Sequence, residues 1–107
     1  MPDTAALLHS LELIEDAAKH VLRADGSAES QEAFATLMHQ QLPTIADDQH
    51  PDGNDVQHRR LVAGIDAALR TLAAAGSKSD GDRARLVMSY ARSVRFEIGK
   101  LMPALRG

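Results

Sequence analysis

The five histidines, at positions 9, 20, 39, 50 and 58, are the side chains here most suited to holding a metal ion or passing a proton. No two of them stand four apart, the spacing that sets two histidines on one face of a helix for one ion, and no HExxH pattern occurs. Glu12, Asp16 and His20 follow one another at steps of four on a segment that reads as helix. Successive side chains on such a line stand about 6 Å apart, so three of them do not converge on one straight helix. Asp48, His50, Asp52 and Gly53 carry the opening spacing of a calcium loop. Its twelfth position should be a bidentate Glu; here it is Arg59, a cation that repels the ion, and imidazole is a poor ligand for a hard cation. The expectation is a solvated acidic loop, with no metal and no cofactor.

Covalent chemistry has as little to work with. There is no cysteine, which removes thiolate metal sites and cysteine nucleophiles. No Gly-x-Ser-x-Gly elbow is present, and the seven glycines are scattered singly rather than gathered into a phosphate loop. No residue is expected to be catalytic, and the chain reads as a protein that is not an enzyme. One short segment points elsewhere. His20-Val21-Leu22-Arg23-Ala24 resembles the phosphorylated segment of histidine phosphotransfer domains, with an apolar residue two places after the His, a basic one three after and a small one four after. The resemblance covers five residues and implies a four-helix bundle in which His20 carries the phosphoryl group. In that family the His stands in mid-helix, whereas Asp25-Gly26 is expected to end the helix here.

Charge is distributed unevenly. Residues 1–55 carry eleven acids against two bases, and residues 56–107 carry ten bases against four acids, within a net charge of −3. Either the two halves lie against each other, or one offers a charged surface to a partner of opposite sign. Arg83, Arg85, Arg92, Arg95, Lys100 and Arg106 fall in or beside the last helical segment, which admits a DNA-binding reading with helices three and four as a helix-turn-helix. Their connection is longer than the usual 3–4-residue turn, and the acidic first half would repel phosphate, so nucleic acid is not the expected partner.

These residues sit on a chain that is helical throughout. At 107 residues, 44% hydrophobic and 3% aromatic, it has the size of one domain and an aliphatic core. Apolar positions predict helices over about 4–24, 28–42, 55–75 and 82–102. Leu7, Leu11, Ile14, Ala18 and Val21 form a heptad seam, and Val62, Ile65, Leu69 and Leu72 form another. Gly26 is expected to take a left-handed conformation after the first helix, while Pro43 and Pro103 are expected to stop the second and fourth. The fold class is therefore all-α, either a four-helix antiparallel bundle or a helical homodimer, with residues 1–107 as a single domain. No apolar run approaches the roughly 20 residues of a membrane span, and the N-terminal segment does not read as a signal peptide, so the expected location is cytoplasmic. The Arg-rich, Lys-poor, Ala-rich usage suggests a bacterial source.

On a helical wheel, Val87, Tyr90, Val94, Ile98 and Leu101 share an arc of about 80°. Phe96 points nearly opposite, beside Arg85, Met88, Arg92 and Gly99, with Arg95 and Met102 flanking. Phe, Met and Arg are the residues enriched in protein interfaces. The sequence therefore leads to a protein-binding adaptor or regulator, of the anti-activator, anti-sigma or chaperone-like type, probed through Arg85, Met88, Arg92, Arg95, Phe96 and Met102. The seams lead to the expectation that it works as a homodimer.

Overall fold

The computed structural model describes residues 4–46 and 55–106. They form α1 (Thr4–Arg23), α2 (Ala28–Ile45), α3 (Asp55–Ala74) and α4 (Asp80–Arg106), with one 3-10 turn at Ala75–Ser77 and no strand among the described residues. The Asp48–Gly53 spacing lies outside the described residues.

The molecule measures 44 × 24 × 20 Å. At 1.5 Å per residue α3 is about 30 Å long and α4 about 40 Å, so both must lie along the long axis. Side-chain links fix their directions. At one end Ser10 Oγ donates to Gln41 Oε1 (2.8 Å), His58 Nε2 donates to the Ile45 carbonyl, and Arg106 pairs with Glu12 (3.1 Å). At the other, Arg83 Nε donates to Gln31 Oε1 (3.0 Å) and its Nη1 to the Ala75 carbonyl (3.3 Å). Successive helices therefore run antiparallel, with α1 against α2 and α4, and α3 against α4 and α2. This is an all-α four-helix bundle, and α3 and α4 lie side by side rather than crossing as a helix-turn-helix.

The seams meet inside. Leu7, Leu11, Ile14, Ala18 and Val21 of α1 are fully buried, as are Phe34, Met38 and Ile45 of α2, Leu61, Ile65 and Ala68 of α3, and Val87, Ala91, Ile98 and Leu101 of α4. They belong to one continuous cluster. Val62 packs at its edge, and Tyr90 is half-buried with its hydroxyl on Thr71 Oγ1 (2.9 Å).

Three boundaries differ from expectation, each for a physical reason. α2 continues through Pro43 to Ile45, and α4 through Pro103 to Arg106. Each proline removes one bond to the carbonyl four residues back, at His39 and Gly99, but both of those residues are exposed and water can serve the carbonyl. Burial of Ile45 and packing of Leu105 hold the chain helical beyond the break. α4 also starts two residues early, because Ser79 caps it: its Oγ accepts the Asp82 N–H (3.2 Å) and its carbonyl the Arg83 N–H (2.9 Å). Gly26 does adopt positive φ (71°), joined by Asp25 at 51°.

Candidate functional site

The outer face of α4 is made by what the bundle leaves out. α4 packs against α1 on one side and α3 on the other, so the buried arc takes in Val87, Ala91, Val94, Ile98, Leu101 and Met102. Phe96 lies ~160° from the middle of the core stripe at 100° per residue. It is 61% exposed, although full burial of such a ring stabilises a fold by a few kcal/mol.

Cations stand beside it and further along the same helix. Arg85, Arg92, Arg95, Lys100 and Arg106 are all exposed. Lys100 Nζ stands 4.2 Å from the Phe96 ring centroid, one turn on, an arrangement worth about 0.5–1 kcal/mol at an exposed site. It covers one face of the ring and leaves the rest open. Arg85 is paired with Asp82 and Arg106 with Glu12. Arg92 and Arg95 have no hydrogen-bond or ion-pair partner among the described residues. Glu97 is the one acid of α4 after Asp82, and it is half-buried, with Oε2 withdrawn from solvent. Between Arg85 and Arg106, therefore, every exposed charge on α4 is positive. At the start of the helix, hydrogen bonding to Ser79 and then the Arg85 guanidinium hold the Asp82 carboxyl below its ordinary value.

The six residues read from the sequence are not all part of this face. Arg85, Arg92, Arg95 and Phe96 are. Met88 is half-buried and packs against the core. Met102 is a correction: it is 5% exposed and belongs to the core cluster, because the α1-facing flank of α4 is buried as well as its centre. Lys100 was missed as a member, though its spacing of four from Phe96 is the signal for a stacked pair. Exposed Gly99 and Pro103 complete the strip, and a Cβ built on Gly99 would meet nothing within 4 Å among the described residues.

The remaining candidates are dispersed. His20 is exposed in the last turn of α1, its carbonyl accepting the Ala24 N–H (2.9 Å), so it stands at a helix end rather than in mid-helix. Glu12, Asp16 and His20 line the solvent side of α1, and Glu12 is held by Arg106. His58 is buried and bonded to α2, a clasp between helices that the sequence did not announce. A groove between α2 and the α3–α4 pair is floored by Leu72 and Val87 and edged by Gln31, His39 and Arg83. Its arginine is already engaged by Gln31 and the Ala75 carbonyl. Among the described residues no helix is long and apolar enough to cross a membrane, and no group of three or more His, Asp or Glu is placed to hold a metal ion. Compared with protein-family models, curated proteins and solved structures, the chain matches none.

Proposed function

We propose that this chain is a non-enzymatic adaptor or regulator that binds an acidic surface of another protein on the outer face of α4. The observation that carries the reading is the 61% exposure of Phe96 within a run of exclusively basic exposed charge. Aromatic and Arg side chains dominate the energetics of protein interfaces, and an acidic partner would give Arg92 and Arg95 the counter-charges they lack. Self-association through this face is disfavoured, because two copies meeting on it would set Arg92, Arg95 and Lys100 against their own kind. Nucleic acid would meet the same cations. However, the side-by-side packing of α3 and α4 projects no recognition helix, and α1 and α2 add exposed acids at Glu12, Asp16, Glu29 and Glu32. Phosphotransfer through His20 has the four-helix bundle in its favour and the helix-end position of His20 against it.

A photoreactive phenylalanine analogue at Ser93, exposed on α4, compared with one at Gln40, exposed on α2, tests the reading in the native host. The expected result is one protein adduct from position 93 only, mapped to an acidic surface of that protein and lost with Arg92→Glu. Equal adducts from both positions, or adducts to nucleic acid, would contradict it.

A further inference from the structure

We infer that the partner presents an acidic amphipathic α-helix, laid along the strip Arg92–Phe96–Gly99–Pro103; the inference rests on the reading of α4 as a protein-docking face. Three features of that strip favour a helix over a strand, a loop or a flat acidic surface.

The first is its shape. Phe96, Gly99 and Pro103 follow Arg92 at steps of four, three and four, so they form one straight ridge. Eleven rises of 1.5 Å from Arg92 to Pro103 make it about 16 Å long, three turns of an opposing helix.

The second is Gly99. Glycine is among the least favourable residues in a helix interior, and nothing among the described residues requires it here, since a Cβ at this position meets none of them within 4 Å. What the missing side chain does supply is a low point beside the Phe96 ring, where another backbone can approach closely. Helix pairs use small residues in this way. Pro103, on the same strip, has no N–H to give the Gly99 carbonyl, so the helix makes one bond fewer beside this low point.

The third is the placement of charge. Arg92 opens the ridge, Arg95 falls on one flank of it and Lys100 on the other, over the ring. A helix with an apolar seam on Phe96 and carboxylates three or four residues apart on its two flanks meets these cations from both sides. A nucleic-acid backbone would satisfy the cations, yet it would leave the ring unburied and the low point at Gly99 unused.

The test titrates the full chain into a fluorescein-labelled 18-residue peptide with a Leu/Ala seam flanked by Glu, followed by anisotropy in 0.15 M salt (on the order of physiological ionic strength). Two comparison peptides replace every Glu by Gln, or place two prolines in mid-sequence at unchanged charge. The acidic helix is expected to bind, and each comparison peptide to bind roughly tenfold more weakly or worse, the loss that one to two interface contacts produce. Gly99→Leu is expected to weaken binding by a similar factor while melting at or above wild type, since it fills the low point and improves the helix. Equal binding of the proline peptide would overturn the helical partner and leave the acidic-protein reading standing. Equal binding of the Gln peptide, or a duplex DNA that binds where the acidic helix does not, would overturn both. Failure of the acidic helix to bind, with the position-93 adduct still formed, would overturn this inference alone; with no adduct it would overturn the underlying reading too.

Discussion

Phe34 and Phe96 are one residue type in opposite surroundings, fully buried in α2 and 61% exposed on α4. Phe34→Ala should cost about 3–5 kcal/mol, read as a fall in the urea midpoint, because it empties core volume that the neighbours cannot refill. Phe96→Ala loses the Lys100 contact but gains helix propensity of similar size, so it should change stability by no more than about 0.5 kcal/mol. Gly26 gives a second residue-scale prediction. It has φ 71°, and a Cβ there would lie 2.8 Å from the Ala84 carbonyl oxygen, a backbone atom that cannot move aside cheaply. Gly26→Ala should therefore destabilise by about 2–4 kcal/mol, the sum of conformational strain and overpacking. A urea midpoint equal to wild type would show that the α1–α2 turn can shift away from α4. Both phenylalanines were legible in the sequence, since Phe34 falls on the apolar face of its helix and Phe96 opposite the stripe of its own. Met102 was not. It sits on the flank of the α4 stripe, where burial depends on a second neighbouring helix, and a one-dimensional pattern cannot say how many neighbours a helix has.

Helix existence was legible, and so were both ends of α1 and α3 and the start of α2, to within one residue; the end of α2 and both ends of α4 were not, because caps and tertiary contacts decide them. Ser79 falls before the predicted start of α4, yet its hydroxyl and carbonyl take two N–H groups of the first turn of that helix. Ser79→Ala should cost about 0.5–2 kcal/mol. Asp82 reports on the same cap. Its carboxyl is held below its ordinary value by Ser79 first and Arg85 second. A carboxyl depressed in the folded state stabilises that state above its ordinary titration range and loses the contribution as pH falls through the folded value. The carboxyl carbon resonance of Asp82 should therefore titrate at lower pH than in an unstructured peptide, and Ser79→Ala should move the midpoint back up. An unchanged midpoint in the variant would assign the shift to Arg85 instead. The prolines teach the reverse lesson. Pro43 and Pro103 looked like stops, but Ile45 and Leu105 bury apolar surface beyond them, and tertiary packing prevails over the loss of one exposed hydrogen bond.

For the whole molecule, the uneven charge along the sequence becomes acidic surface on α1 and α2 and basic surface on α4, with Arg106–Glu12 joining them as an exposed ion pair. Exposed pairs contribute about 0–1 kcal/mol, so melting temperature should vary little between low and moderate salt, whereas partner binding should weaken steadily as Arg92 and Arg95 are screened. The heptad seams that suggested a homodimer are buried against each other within one chain. Light scattering at micromolar concentration is thus expected to return the 11.5 kDa of a single chain; twice that mass would restore self-pairing as a competitor for the α4 face. The central claim, that Phe96 serves binding rather than folding, is tested most directly by measuring one variant in two ways. Phe96→Ala should melt within about 3 °C of wild type and bind the acidic helical peptide about 30-fold more weakly, the loss of an anchor worth about 2 kcal/mol. A melt lowered as far as that of Phe34→Ala, or undiminished affinity in a fully folded variant, would contradict it.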